Sequence, residues 1–360
     1  MYVPSKPFPY KELFVSNNGE IIERLKKSIF FNLGRDALLY GLIKMNIEKG
    51  QKILVPAYIC YSFIEPLVHY GYEIIYLDVE KDLTFSLQTI RKKIDEVGII
   101  RAVILVDYFG LGIDQSNLLE EFKSKNILTI GDYSHSLFSF LFVKRKSEPD
   151  LVILSARKTL PVPDGGILII NNEKFTINDS QNSAKHSSVY YFFIRILERV
   201  LLIFGLNIYS KTITSTKNRL RSIIRNTEKY SHRPKPVRPS KILKNYLTDL
   251  KKLRQISKIS LGNFTKMSTG LQKEIFNQFS GNSYPQSLLI YDNSNEIINH
   301  LRSKSIGASK WPDYELPYEV VGNQKLYPNT MFYSSSLTHI PIHFSLSRRQ
   351  LSYLKKALEN

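Results

Sequence analysis

The sequence predicts an α/β protein built on a mainly parallel sheet, and two observations support this prediction. Short apolar runs rich in β-branched residues alternate with longer stretches in which apolar residues recur at helical spacing. Several of these runs end in polar or glycine-containing motifs, which is where ligands bind in parallel sheets. A chain of 360 residues with 43% hydrophobic residues can bury the large core that such a sheet needs.

The first predicted element is a helix that follows a glycine turn. Gly34 can adopt the backbone angles of a tight turn, and Asp36 favours the start of a helix. Apolar residues then recur at helical spacing up to Gly50. The amides at the start of such a helix can bind a phosphate, although an ordinary capped helix fits the same residues.

The next elements alternate between strand and helix, which predicts a parallel sheet. They are strands at Lys52–Val55, Glu73–Leu77, Ala102–Val106 and Leu128–Ile130, and helices at Ile59–Tyr70, Ser86–Glu96 and Gln115–Lys125. Because the loops after parallel strands converge on one edge, one crevice should gather several loop segments. These are Pro56–Ser62, Asp107–Gly110, Asp132–His135 and Ser155–Lys158.

The candidate catalytic residue lies between two further predicted strands, Leu151–Leu154 and Ile167–Ile170. The loop between them is basic and contains Ser155 and Lys158, and Asp132 follows an earlier strand. A loop lysine considered alone is usually a surface residue. A lysine and an aspartate at strand ends, with a serine and a glycine turn for a phosphate, are the groups that pyridoxal phosphate requires.

Seven short motifs occur along the chain in a fixed order. They are Gly34–Leu38, Val55–Tyr58, Asp107–Gly110, Gly131–His135, Ser155–Lys158, Gly165–Gly166 and Leu337–His343. In this order they resemble the DegT/DnrJ/EryC1/StrS family of sugar aminotransferases, over roughly residues 30–174 and 259–350. The resemblance implies the type I pyridoxal-phosphate-dependent transferase fold, with a large domain containing a mainly parallel sheet, a small C-terminal α+β domain and, in this chain, a helical insertion.

The resemblance also implies roles for individual residues. Lys158 matches the lysine that binds the cofactor covalently and moves the substrate proton. Asp132 matches the carboxylate that keeps the pyridine nitrogen protonated, and His135 matches the Gln or His beside the phenolic oxygen. Ser155 and the backbone amides at the start of the first helix match the site that binds the cofactor phosphate. The residues at this helix start are Gly34, Arg35 and Asp36. Turn capping for Asp132 and His135, and a strand-end hydroxyl for Ser155, are the structural alternatives.

Two positions depart from the family pattern. The family usually has about two more residues between the serine and the lysine, so the spacing from Ser155 to Lys158 implies a tightened loop. Cys60 occupies the place where many members carry an aromatic ring that stacks on the cofactor. Either the thiol covers the cofactor or a neighbouring ring does so; the neighbours are Tyr58, Tyr61 and Phe63.

The segment Val189–Tyr209 is the most apolar in the chain, yet it has Arg195, Glu198 and Arg199 in its middle. Each charge would cost about 2.5–3.5 kcal/mol at the centre of a bilayer, so we do not predict a transmembrane helix. The basic stretch Lys211–Lys244 follows. Two interpretations stay open: a helix lying on an anionic membrane surface, and a helical insertion packed on the protein itself or across a dimer.

The resemblance resumes after this segment. Asn263 matches an asparagine that reaches the cofactor phosphate of the neighbouring subunit, and Lys266 replaces an arginine. A helix cap is the alternative for Asn263. Near the C-terminus we expect a strand at His339–His343 and a helix at Ser345–Leu358. One of the two histidines could face the site while the other packs, and neither is assigned to catalysis.

These observations predict three regions and a function. Residues 1–174 form a large domain that binds pyridoxal phosphate, 175–258 a helical and basic insertion, and 259–360 a dimer and phosphate segment followed by a small domain. By resemblance we expect a homodimeric aminotransferase that converts a nucleotide-linked keto sugar with glutamate as donor, in surface polysaccharide or related glycan biosynthesis. A dehydratase-like enzyme on the same cofactor and a catalytically silent, membrane-associated scaffold are the alternatives.

Composition limits the partners and the compartment. The net charge of +18 favours phosphates, nucleic acid or anionic lipid. We find no zinc finger, RNP-like aromatic signature or isolated basic tail, so no nucleic-acid partner is predicted. The single cysteine excludes an internal disulfide framework and a cysteine-based zinc site, and no metal site is predicted. The N-terminus lacks the pattern of a signal peptide, which predicts a cytoplasmic protein, with contact at the inner membrane face as an option.

Overall fold

A computed structural model describes residues 1–7, 19–172, 233–276, 283–312 and 315–359, together with residues 196, 197 and 200. Within these residues no helix is both long enough and apolar enough to cross a bilayer. The predicted helix Val189–Tyr209 falls, apart from those three positions, outside the described residues, as does the first part of the basic stretch. The two interpretations of this segment therefore stay predictions.

The large domain is built on a seven-stranded sheet with the strand order β1-β7-β6-β5-β4-β2-β3. Strands β2 to β6 are mutually parallel, and β7 runs antiparallel to both of its neighbours. The strands are β1 (Ile29–Phe31), β2 (Lys52–Pro56), β3 (Glu73–Leu77), β4 (Ile100–Val106), β5 (Leu128–Asp132), β6 (Leu151–Ser155) and β7 (Gly166–Ile170). The mainly parallel α/β sheet predicted from the sequence is confirmed.

Helices connect most of these strands. They are α1 (Gly34–Lys44), α2 (Tyr61–Tyr70), α3 (Leu87–Val97), α4 (Ser116–Ser124) and α5 (Leu137–Phe142). Local residues set their ends: the Ser86 hydroxyl accepts from the amide of Thr89 at the start of α3, and Gly71 ends α2 with φ of 103°. Helix α2 begins later than predicted because Ile59 and Cys60 continue the loop, with Cys60 in extended conformation.

Two features of the sheet were not predicted, namely β1 and the antiparallel direction of β7. The connection from β6 to β7 spans only residues 156–165. A parallel neighbour needs a crossover of a dozen or more residues, usually with a helix, so this short connection returns antiparallel.

Helices from the region after residue 233 cover one face of the sheet. They are α6 (Lys241–Leu247) and α7 (Leu250–Ser268). Leu243 and Tyr246 of α6 are fully buried in one cluster with Val152 and Ile167 of the sheet. The amide of Val237 donates to the carbonyl of a β1 residue, Phe30, at 2.8 Å. Part of the predicted insertion is thus joined to the large domain's core.

The chain after residue 283 forms a three-stranded antiparallel sheet in the order β8-β10-β9. Its strands are β8 (Ser287–Tyr291), β9 (Ser309–Lys310) and β10 (Leu337–Pro341), and its helices are α8 (Ser294–Ser303), α9 (Tyr318–Gly322), α10 (Pro328–Ser336) and α11 (Arg348–Glu359). Strand β10 begins two residues before the predicted strand, and α11 begins three residues after the predicted helix start. The domain boundaries inferred from the sequence stay predictions.

The β3 end of the large sheet is joined to this C-terminal part by the carboxylate of Asp78. It accepts hydrogen bonds from the amides of Asn329 and Thr330, at 2.8 and 2.9 Å, and from the Thr330 hydroxyl at 2.6 Å. These amides belong to the first turn of α10, where no carbonyl within the helix can accept from them. Asp78 therefore stabilises the start of α10 from another part of the chain.

Candidate active site

The loops after β2, β4, β5 and β6 converge at the carboxyl edge of the sheet, as predicted. The hydroxyl of Tyr108, after β4, donates to the carbonyl of Tyr58, after β2, at 2.5 Å. The amide of Gly110 donates to the hydroxyl of Ser136, after β5, at 3.0 Å. These bonds fix the walls of one crevice.

Lys158 ends a single 3₁₀ turn, Ala156–Lys158, directly after β6. The turn is closed by the Thr159 amide donating to Ala156 O at 3.0 Å, and the Ala156 amide donates to Gly165 O at 2.8 Å. This is the tight connection that the short spacing after Ser155 implies. It directs the Lys158 amine toward the loop after β5, where Nζ lies 2.7 Å from Nε2 of His135.

His135 is held from both sides of its ring. Its Nδ1 lies 2.8 Å from Oε1 of Gln286, whose Nε2 donates to the backbone carbonyl of Lys158 at 2.7 Å. Burial, together with the positive charge of Lys158, lowers the pKa of His135 well below its usual range. The imidazole is therefore neutral at physiological pH.

Asp132 is the last residue of β5 and is buried. One carboxylate oxygen accepts from the amide of Ser134 at 2.9 Å. Burial raises the pKa of Asp132, while the nearby Lys158 charge acts in the opposite direction. The structure therefore brings Lys158, His135 and Asp132 together at one edge of the sheet.

The start of α1 lies beside this group. A Cβ added to Gly34 would sit 3.5 Å from both the Ser134 hydroxyl and the Leu154 carbonyl, so α1 begins against the ends of β5 and β6. A Cβ added to Gly166 would come within 2.2 Å of the carbonyl of Leu33, which only glycine allows. The backbone at the start of α1 can therefore approach the crevice closely.

The other candidate phosphate ligands lie around the same point. Ser155 is buried at the end of β6, opposite Gly166 in the β6–β7 pairing. Arg35 and Asp36 are in the first turn of α1, and the Asp36 amide already donates to Leu33 O at 3.2 Å. A helix start next to a strand-end serine is a suitable phosphate site.

These residues fit pyridoxal phosphate. Lys158 would offer an amine to its aldehyde, the buried Asp132 a carboxylate to its ring nitrogen, and the start of α1 amides to its phosphate. In the part of the chain that the structure describes, no cluster of three or more His, Cys, Asp or Glu residues could hold a metal ion.

Asn263 lies away from this group within the chain. It is buried inside α7, and its Nδ2 donates to the carbonyls of Ile342 and His343, each at 3.2 Å. The helix-cap alternative is wrong, because Asn263 is not at the end of α7 and its amide ties this helix to the chain after β10. A contact between Asn263 and the phosphate of a neighbouring subunit stays a prediction.

The side chains of Tyr58, Cys60 and Tyr61 each have a neighbour in the structure. Tyr58 is fully buried, and its hydroxyl donates to the carbonyl of Trp311 at 3.0 Å. The ring of Tyr61 contacts that of Tyr318, with centroids 5.0 Å apart. The Sγ of Cys60 lies 3.0 Å from the hydroxyl of Ser62.

The aromatic neighbours of His135 are Phe109 and Trp311, which meet its ring edge to face at centroid distances of 5.7 and 5.8 Å. The ring of His339 contacts Phe109 at 4.3 Å, while His343 Nε2 bonds to Pro4 O at 2.9 Å. His339 of β10 thus neighbours the site, whereas His343, which follows β10, packs against the N-terminal part of the chain.

Gln286 and Trp311 were not predicted from the sequence to be near the site. Gln286 directly precedes an apolar strand, where a polar residue is unremarkable, and it is 151 residues from His135. Trp311 precedes Pro312 in a loop, and its carbonyl bonds to a tyrosine 253 residues away. The sequence marked Trp311 only as the single tryptophan of the chain, which does not indicate where in the fold it lies.

The chain is similar to known proteins in sequence and in fold. The model of the DegT/DnrJ/EryC1/StrS aminotransferase family matches residues 11–182. No curated protein sequence matches the chain significantly. The resemblance inferred from the seven motifs is confirmed, and the family match supports a pyridoxal-phosphate-dependent aminotransferase.

Three solved structures illustrate the shared fold. A DegT/DnrJ/EryC1/StrS aminotransferase from Brucella abortus has 16% identity and a TM-score of 0.64, covering 92% of this chain and 84% of its own. Spr1654 from Streptococcus pneumoniae, described as a sugar aminotransferase and solved in its PLP form, has 14% identity, a TM-score of 0.68, and coverage of 100% and 98%. DesV from S. venezuelae, solved with a ketimine intermediate, has 16% identity, a TM-score of 0.63, and coverage of 92% and 84%. At such identities the likeness establishes the type I fold.

Proposed function

We propose, starting from this family resemblance, that the protein is an aminotransferase that uses pyridoxal phosphate to convert a keto sugar to an amino sugar. The proposed sugar is nucleotide-linked, the proposed donor is glutamate, and the proposed pathway makes a surface polysaccharide or related glycan. The observation that carries the proposal is the amine of Lys158 lying 2.7 Å from the neutral imidazole of His135, with the buried Asp132 beside them.

Each part of the cofactor has a residue that would hold it. Lys158 would bind its aldehyde carbon, Asp132 its ring nitrogen, and Ser155 with the start of α1 its phosphate. When bound, pyridoxal phosphate supplies an electron sink that stabilises negative charge on the substrate carbon. A buried carboxylate suits the ring nitrogen, because an opposite charge in a low-dielectric environment favours the protonated form of that nitrogen.

Lys158 is the group that would move a proton on the substrate carbon. General base catalysis by a lysine needs its neutral amine, held within hydrogen-bond reach of the proton that it removes. The neutral His135 accepts a hydrogen bond through Nε2 and so orients the Lys158 amine without adding a charge. The rings of Phe109 and Trp311, which are 0% and 7% exposed, pack edge to face against the His135 ring and limit its movement.

The charge of the protein supports an anionic substrate. A net charge of +18 attracts the diphosphate of a nucleotide-linked sugar and the carboxylates of glutamate. A homodimer is proposed from the family resemblance alone.

The test begins with the absorption spectrum of the protein mixed with pyridoxal phosphate. We expect a yellow protein that glutamate bleaches, and borohydride reduction should leave the cofactor mass on the peptide containing Lys158. Lys158→Ala should lose this label, whereas Lys125→Ala, at a surface lysine paired with Glu121, should keep it. A protein that never takes up the cofactor contradicts the proposal and favours the silent scaffold.

The reaction is then tested with ¹⁵N-glutamate and a panel of nucleotide-linked keto sugars. Transfer of the label into a sugar amine supports transamination. Loss of water from the sugar without transfer of nitrogen supports the dehydratase-like alternative instead.

A further inference from the structure

We infer that Gln286 is a positioning residue that fixes the tautomer of His135 and thereby makes its Nε2 the acceptor for the amine of Lys158. The tautomer follows from hydrogen-bond chemistry alone. Its consequence for catalysis rests on the proposed function.

Gln286 is anchored where the chain enters the C-terminal sheet. Its backbone amide donates to the carbonyl of Phe109 at 2.8 Å, and the amide of Tyr284 donates to the carbonyl of Gly110 at 3.0 Å. The side chain of Gln286 therefore leaves a backbone that is already fixed against the loop after β4. It reaches both His135 and the turn of Lys158.

The backbone carbonyl of Lys158 determines which way the Gln286 amide points. A carbonyl can only accept a hydrogen bond, so the group 2.7 Å from it must be the amide nitrogen of Gln286. The amide oxygen then faces Nδ1 of His135 at 2.8 Å. The opposite orientation would bring two oxygen acceptors together.

The orientation of the amide in turn determines where the His135 proton lies. The Gln286 oxygen can only accept, so Nδ1 must carry the hydrogen. In a neutral imidazole the other nitrogen is then unprotonated. Nε2 therefore accepts from Nζ of Lys158, 2.7 Å away. This sequence of bonds fixes both the turn that carries Lys158 and the direction of its amine.

The surroundings of His135 favour the neutral ring that this argument requires. Burial lowers the pKa of His135 most strongly, and the charges of Lys158 and Lys6, with the neighbouring His339, lower it too, while the hydrogen bond to Gln286 acts in the opposite direction. Phe109 and Trp311 contact the ring by edge and face without a charge. Gln286 thus selects one neutral tautomer at Nδ1, and a protonated Lys158, which can only donate, favours the same tautomer at Nε2.

The direct test is ¹⁵N NMR of protein labelled at histidine, without cofactor, at neutral pH. The signals of His135 are assigned as those lost in His135→Gln among the seven histidines. We expect the chemical shifts of a protonated Nδ1 and an unprotonated Nε2. A protonated Nε2 in the unmodified protein overturns the inference, whatever any variant does.

Variants then separate positioning from a purely structural role. Gln286→Leu removes the acceptor, so His135 should shift toward the tautomer with a protonated Nε2. Gln286→Glu loses the donor to the Lys158 carbonyl but keeps an oxygen acceptor for Nδ1, and it should retain the protonated Nδ1. Gln350→Leu is the matched control, because Gln350 is also half-buried and its side chain also accepts one hydrogen bond and donates another to a backbone carbonyl; its partners are the amide of Ser347 and the carbonyl of Tyr2. It should leave the His135 signals unchanged.

A second readout is the rate at which Lys158 captures pyridoxal phosphate, followed by absorbance and borohydride trapping. We expect Gln286→Leu to slow capture about tenfold, less than the roughly hundredfold cost of displacing a reacting group by 1 Å. Gln286→Glu should recover part of the rate. A folded Gln286→Leu protein with unchanged tautomer and capture rate overturns the inference. If the unmodified protein never captures the cofactor, the proposed function fails while the NMR result still decides the tautomer.

Discussion

At the scale of single residues, burial changes the titration of Asp107 behind the site. Its carboxylate accepts from the amide of Gly112 at 3.1 Å and lies 3.3 Å from the guanidinium of Arg145. Burial raises the pKa of Asp107 to about 6, and Arg145 opposes this rise. Because this pKa lies above the unfolded value of about 3.9, the contribution of Asp107 to stability is present below pH 4 and is lost as the pH rises through about 6.

Removing the guanidinium should raise the pKa of Asp107 further. We expect Arg145→Leu to move it above about 6, because the positive charge of Arg145, which lowers this pKa, is lost. Carboxyl ¹³C NMR during a pH titration measures this pKa directly. Arg91→Leu, which breaks an exposed pair with Glu121, is the control and should leave the pKa of Asp107 unchanged. A fall in the pKa in Arg145→Leu contradicts this account.

Two glycines should respond in opposite directions to alanine. Gly110 has φ of +79°, and a Cβ there would lie 2.0 Å from the carbonyl oxygen of Tyr284, so Gly110→Ala should destabilise the protein by roughly 2–4 kcal/mol. Gly262 lies on the exposed face of α7 with nothing within 4 Å of an added Cβ. Gly262→Ala should therefore raise the free energy of unfolding by about 0.5–1 kcal/mol. Urea denaturation measures the free energy of unfolding of both variants, and equal effects of the two substitutions would contradict the steric argument.

At the scale of elements, the link between β3 and α10 depends on one carboxylate. We expect Asp78→Ala to cost about 2 kcal/mol, because three donors lose their charged acceptor and the start of α10 loses its cap. Hydrogen exchange of the α10 amides measures the effect locally. Asp114→Ala is the control, since Asp114 likewise accepts from an amide and a hydroxyl, both of Ser116 at the start of α4, and its loss should leave the exchange of α10 unchanged. Unaltered exchange in Asp78→Ala contradicts the proposed cap.

The elements show where sequence patterns are sufficient. Strands β2 to β6 were predicted because β-branched runs and turn residues are local signals, and the parallel order placed their loops at one edge. The direction of β7 could have been predicted from the short connection after Ser155, which excludes a crossover. Strand β1 has three residues, too few for a periodic pattern to be recognised.

At the scale of the whole molecule, the site combines local and distant residues. Asp132 ends strand β5, while His135 and Lys158 lie in the loops directly after β5 and β6, so their motifs identified them. Gln286 and Trp311 reach the site from the C-terminal part of the chain, and their contacts depend on how that part is placed against the large sheet. No local sequence pattern indicates that placement, so Gln286 and Trp311 could be identified only from the structure.

Cofactor binding should stabilise the whole fold. A ligand that binds only the folded state raises the free energy of unfolding by about 2.7 kcal/mol at a concentration of 100 times its Kd. Thermal denaturation at increasing pyridoxal phosphate should follow this dependence. Pyridoxal without the phosphate should shift the transition less, because the start of α1 and Ser155 then bind nothing. An equal shift with inorganic phosphate alone would contradict a site for the whole cofactor.

The bond between Val237 and Phe30 also has a consequence for solution behaviour. Strand β1 is an outer strand of the large sheet, and an outer strand can recruit strands from other molecules and so initiate aggregation. The returning chain occupies one of the hydrogen-bonding groups of β1 at that edge. A shortened form of the protein that removes the region between β7 and α6 should therefore keep residues 233–240, since deleting them would expose a surface prone to precipitation.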